Sequence, residues 1–136
     1  MRSKSSGKYV MSGKRYFLDT NAIVALLAGN NNLLEKLNQA DHVATSVICE
    51  LEYLAFPGLP DEDKELFEQF LEKVNVVDLI SGDSQLKEQI LRLRTEKKLK
   101  LPDAIIAGSA MSQDCVLLTE DKRLLNHDGV CSESYL

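Results

Sequence analysis

Four acidic positions stand where apolar runs of this sequence give out. Asp19 follows RYFL, Asp103 opens LPDAIIAGSAM, Asp121 lies just past CVLLT, and a fourth acid, Glu50 or Glu52, sits within VICELEYL. Carboxylates brought together repel one another, and a nearby cation relieves the repulsion. Oxygen donors without thiolate or imidazole partners suit Mg²⁺, or Mn²⁺, better than zinc. A hard cation held in this way can activate water, grip a phosphate oxygen and stabilise a leaving oxygen, which is what phosphodiester hydrolysis requires. Asn21 and Thr119 stand beside these acids as neutral groups able to orient them. The two histidines, His42 and His127, lack ligand spacing and read as solvated or core residues.

Each acid also has an ordinary explanation. Asp19 can cap the following helix, and Asp103 and Asp121 can sit favourably in first helical turns, effects worth about 0.5 to 2 kcal/mol or less. Taken singly, each is better explained by structure than by chemistry. Helical geometry leaves the fourth acid open: Glu50 shares a stripe with Val47 and Leu54, while Glu52 has Ile48 and Phe56 as neighbours.

The acids can meet only if the chain folds them together. RYFLD reads as a strand and TNAIVALLAG as a helix; Leu33, Leu34 and Leu37 mark a second short helix, and HVATS a second strand, with Ser46 as N-cap of VICELEYLAF. After the FPGLP break, DEDKELFEQFLEKV is amphipathic, VNVVDLI is β-rich, and Ser84 to Lys98 forms a long helix. LPDAIIAGSAM carries proline in a first turn and small residues suited to close packing. CVLLT is then a strand, EDKRLL a short helix and GVC a last short strand. Alternating strands and helices imply a mostly parallel sheet covered on both faces, with ligands beyond the carboxyl ends of the strands.

At 136 residues the chain fits one domain, with 44% apolar and 27% charged residues and nothing near the roughly 20 apolar residues of a membrane span. Residues 1–14 read as a disordered N-terminal extension or a tag remnant, with no secretory signal; 15–136 read as the domain. Three widely spaced cysteines, Cys49, Cys115 and Cys131, suit a reducing cytoplasm, the first two as small buried hydrophobes. A net charge of −5 argues against bulk attraction to nucleic acid, so contacts with RNA must be local. The basic candidates are Arg92, Arg94, Lys97, Lys98 and Lys100 in RLRTEKKLK, then Lys122 and Arg123.

In YFLDTNAIVALL, TSVICELEYL, LPDAIIAGSAM and LLTEDKRL, taken in this order, the chain resembles the PIN-domain family and in particular the VapC-type ribonuclease toxins. The resemblance covers most of residues 15 to 126. It implies a three-layer α/β/α sandwich with a mostly parallel sheet of about five strands. It selects Glu50 over Glu52 and gives Asp19, Glu50, Asp103 and Asp121 as catalytic and metal-binding residues, with Asn21, Thr119 and Ser46 behind them. It also implies Mg²⁺-dependent cleavage of single-stranded RNA, a homodimer and a small antitoxin partner. The sequence departs from the family in DKRL, where an aspartate and an aromatic are usual, and in a faint final strand.

The expectation is therefore a soluble endoribonuclease, the toxin of a type II toxin–antitoxin pair. A catalytically silent PIN-like module that binds protein or RNA is the alternative. A phosphatase with Asp19 as nucleophile is disfavoured, because the second acid it wants two residues on is Asn21.

Overall fold

The computed structural model describes residues 13–125 and 129–136. Most of the 1–14 segment, and His127, lie outside the described residues. The elements run β1 (Lys14–Leu18), α1 (Thr20–Leu27), α2 (Asn31–Asn38), β2 (Ala40–Ser46), α3 (Val47–Leu54), α4 (Asp61–Glu72), β3 (Asn75–Val77), α5 (Ser84–Lys97), α6 (Leu101–Ser112), β4 (Val116–Leu118) and β5 (Ser132–Glu133). All four strand pairings are parallel, in the order β3-β2-β1-β4-β5. The chain builds outward from β1 through β2 to β3, then crosses back to lay β4 on the other side of β1. Right-handed crossovers in opposite directions put helices on both faces of the sheet. The reversal between β1 and β4 is the switch point, beyond whose strand ends such folds open a crevice.

The core follows the apolar patterning. Phe17, Leu18, Leu117 and Leu118 are fully buried on the central strands, as is Ile23 of α1. Tyr53 of α3 stacks on Phe67 of α4 with ring centroids 4.1 Å apart. Cys49 and Cys115 are buried and Cys131 is exposed, all as free thiols. Small residues let α6 approach α5 closely: a Cβ added at Gly108 would stand 2.9 Å from Ile90 Cγ1. Gly108→Val should therefore force α5 and α6 apart and cost about 1–3 kcal/mol, the usual range for overpacking; chemical denaturation measures it. Equal stability would mean the helices can slide without penalty.

Three sequence expectations need correcting. EDKRLL is a turn, with Leu124 and Leu125 N–H both donating to Asp121 O at 3.0 and 3.1 Å. The Asp121 side chain accepts the Arg123 N–H at 3.0 Å, a local bond that competes with helix propagation. The last strand is Ser132–Glu133, after the GVC segment. The third strand keeps only Asn75–Val77 of VNVVDLI, and Leu79 and Ile80 lie exposed beyond it.

Candidate active site

β1 ends at Leu18, so Asp19 leaves the sheet at the switch point. Asp19 also caps α1, its Oδ1 accepting Ala22 N–H at 2.7 Å. β4 ends at Leu118, and buried Thr119 follows beside Asp19. The Thr119 hydroxyl favours the charged Asp19 carboxylate and accepts the Asp121 N–H at 3.1 Å. The Asp19 N–H donates to Leu118 O at 3.5 Å, which ties the two strand ends together. Asp103 arrives from the first turn of α6.

These three aspartates sense one another. Burial pushes Asp19 above the ordinary carboxylate range, and the charges of Asp103 and Asp121 add to the rise; the Thr119 and Ala22 hydrogen bonds oppose it. Asp103 is raised by burial and then by Asp121; Glu52 adds to the rise, while Arg123 and Lys100 offset it in part. Asp121 moves the other way, held down chiefly by its hydrogen bonds with the Arg123 side chain.

A cleft of about 420 Å³ opens over Asp19 and Asp103, lined also by Thr20, Asn21, Glu52, Ala55, Phe56 and Ile106. Glu52, rather than the expected Glu50, is the glutamate facing it, and it accepts the Thr20 hydroxyl at 2.5 Å. The reason is helical phase. Cys49 turns inward, its Sγ directed at Leu18 O at 3.7 Å, and at 3.6 residues per turn Glu52 lies about 60° from Cys49, whereas Glu50 lies about 160° from Glu52. Ser46 is buried and serves as the N-cap of α3, accepting Ile48 N–H at 3.1 Å. Asn21 is on the cleft wall.

The donor set of Asp19, Asp103, Asp121 and Glu52 is all hard oxygen and fits a divalent cation of the Mg²⁺ kind. Among the described residues, however, no three acidic, histidine or cysteine side chains already stand close enough to share one ion. Arg123 lies against two of the aspartates instead.

The other basic candidates divide. Arg92 and Lys98 are exposed at the end of α5 and Lys97 is partly so, whereas Arg94 donates to Leu99 O at 3.1 Å and thereby closes the α5–α6 turn. Lys122 is exposed. His42 is half-buried, and burial followed by Arg15 lowers its pKa.

Two residues escaped the sequence reading. Glu120 accepts Ser134 Oγ, Tyr135 N–H and Leu136 N–H at 2.6 to 3.2 Å, so it anchors the C-terminal tail beneath the loop bearing Asp121. Tyr135 is thereby buried, and desolvation, with Asp19 and Glu120 nearby, pushes its hydroxyl up to about 12. A weakly patterned tail carries no periodic signal for such contacts.

The PIN domain family model matches residues 16–130, and with this sheet order and acid-lined switch point the chain belongs to the PIN domain family. No curated protein matches the chain. Among solved structures, a toxin–antitoxin complex from Klebsiella pneumoniae is similar at 24% identity and TM-score 0.73, covering 89% of this chain and 98% of that one. DNA-bound VapBC from Salmonella typhimurium is similar at 23% identity and TM-score 0.74, covering 90% and 99%. VapBC2 from Rickettsia felis, bound to a promoter DNA fragment, follows at 19% identity and TM-score 0.74, covering 88% and 97%. Nucleases are the activity class this family supports. No helix among the described residues is long and apolar enough to cross a membrane.

Proposed function

We propose that this chain is a Mg²⁺-dependent endoribonuclease that cleaves single-stranded RNA, acting in the cytoplasm as the toxin of a type II toxin–antitoxin pair. The observation that carries the reading is the convergence of Asp19, Asp103 and Asp121 at the β1/β4 switch point, with two of the three pushed above the ordinary carboxylate range. A bound divalent ion, Mg²⁺ or Mn²⁺, would neutralise this repulsion and polarise water and phosphate. Asp19, Asp103 and Asp121 would hold it, directly or through water. Thr119 keeps the Asp19 carboxylate oriented and fixes the Asp121 backbone, and Asn21 offers an amide to the RNA at the cleft wall. Lys98, Arg92 and Lys97, close in sequence to Asp103, would take phosphates flanking the cut, with Lys122 beyond Asp121.

The fourth acid of this reading is Glu52, which lines the cleft, in place of Glu50. Glu52→Gln is expected to lower cleavage by about ten- to a hundredfold, as loss of a group around a metal typically does, and Glu50→Gln to leave it within about threefold. Cleavage of fluorescent RNA oligonucleotides measures both. The reverse ranking would return the role to Glu50.

Exposed Phe56, just after α3, lines the cleft, and Leu51 and Leu54 are exposed on α3 itself. Such apolar surface suits a protein partner; a small antitoxin covering the site and a second copy forming a homodimer are the partners proposed. The neighbours from Klebsiella and Salmonella were solved as toxin–antitoxin or VapBC assemblies.

The decisive experiment incubates partner-free protein with mixed single-stranded RNA, with and without Mg²⁺ or Mn²⁺ and with EDTA. Cleavage that needs the ion and stops in EDTA is expected. A second reading, a silent PIN module that binds protein or RNA, draws on the pairing of Asp121 with Arg123 and the capping bond of Asp19. Absence of cleavage under every condition would favour it.

A further inference from the structure

Arg123 is bound to the acids of the candidate site more closely than an RNA-facing arginine needs to be. Its Nε donates to Asp121 Oδ1 at 3.1 Å and a terminal nitrogen to Asp121 Oδ2 at 2.8 Å, so the guanidinium grips both oxygens. The same terminal nitrogen reaches Asp103 Oδ2 at 3.4 Å. The Arg123 N–H adds a bond to Asp121 Oδ1 at 3.0 Å. Three donors on one carboxylate leave few of its lone pairs for anything else.

A divalent ion approaching Asp103 and Asp121 would need those same oxygens. The Arg123 side chain is 47% exposed, and an ion pair so open to water is weak enough to exchange. Its planar fork also matches a phosphate as well as a carboxylate. We propose that Arg123 is the resident counter-ion of Asp103 and Asp121: it competes with the divalent ion for these carboxylates and, once displaced, turns its guanidinium to the RNA phosphate. The inference rests on the metal-dependent reading above. It makes Arg123 a positioning residue whose two partners are alternatives, acid in the empty site and phosphate in the loaded one.

Mn²⁺ binding to the RNA-free protein, followed by the electron paramagnetic resonance of free Mn²⁺, tests this without reference to turnover. Circular dichroism checks that each variant is folded. Arg123→Gln is expected to bind Mn²⁺ roughly three- to tenfold more tightly than the unaltered protein, the scale on which removing an exposed competitor acts. Lys122→Gln removes the same charge from the neighbouring residue and should stay within about twofold. Arg123→Lys keeps the charge without the two-pronged grip and should fall between them.

With saturating metal, Arg123→Gln should also raise KM for RNA more than it lowers kcat. Equal or weaker Mn²⁺ binding by Arg123→Gln would overturn the proposal. So would an equal gain from Lys122→Gln, which would mean that field rather than contact matters. If the unaltered protein binds Mn²⁺ and Arg123→Gln does not differ, only this inference falls. If neither binds, the metal-dependent reading falls with it.

Discussion

Asp19→Asn is expected to lower RNA cleavage by at least about two orders of magnitude, the scale of losing one preorganised electrostatic contact in an active site, while the protein becomes more stable at neutral pH. The two effects share one cause. Asp19 titrates above its ordinary value because burial, and then its acidic neighbours, disfavour the charge more than Thr119 and Ala22 support it. A carboxyl raised in this way favours the fold in its neutral form. Its contribution is therefore complete below the unfolded pKa and is lost as pH rises through the folded one. Near neutrality the charge is a net cost.

Asparagine removes that charge and is as good a helix cap as aspartate. Melting temperatures measured from about pH 4 to pH 7, spanning the carboxylate range and beyond, should show the variant gaining on the parent as pH rises. Asp121 supplies the opposite sign. Its pKa is lowered by Arg123, so its ionised form contributes stability above the unfolded pKa, lost as pH falls through the folded one. Asp121→Asn should accordingly be destabilised at neutral pH. An Asp19→Asn protein that is less stable than its parent at neutral pH, or that still cuts RNA, would contradict this account.

Phe17→Ala is expected to cost about 3–5 kcal/mol, the range for truncating a buried aromatic, against a total of about 5–15 kcal/mol for an ordinary domain. Phe17 is fully buried on the central strand, in register with Ala44 of β2 and Leu117 of β4. A small alanine partner on one side offers little with which to refill the space. The loss also lies two residues before Asp19, so slack in β1 becomes slack in the site. Urea denaturation and cleavage per folded molecule are the measurements. A loss below about 1 kcal/mol, the mark of a site that can relax or a residue that packs little, would show that the sheet closes over the cavity.

The sequence conveyed the architecture because local signals and global fold agree along most of the chain. Alternating apolar strands and amphipathic helices required a parallel sheet, and among the described residues five strands form that sheet and six helices accompany it. Agreement failed where a local signal was weak or opposed. At 120–125, EDKRLL reads as a short helix, yet the Asp121 side chain binds the backbone and stops it at a turn. The tail carries little pattern because its contacts, Glu120 to residues 134–136 and Asn32 to Tyr135 O, join distant parts of the chain.

The site divides along the same line. Asp19 and Asp121 could be named as candidates from sequence because strand ends announce themselves, and Asp103 because it opens the helix that leads into β4; the reversal of strand order then determines that β1 and β4 are neighbours. Which glutamate of VICELEYL turns toward them could not be read in this way. Two residues apart on a helix, Glu50 and Glu52 have equal claims until packing fixes the rotation of α3, and Cys49 set against Leu18 O does so. The charge state of the acids was likewise invisible in the sequence. The burial of Asp19 and its coupling to Thr119, Asp103 and Asp121 arise only when segments far apart in the chain share one low-dielectric rim, since electrostatic coupling depends on distance through space and not along the chain.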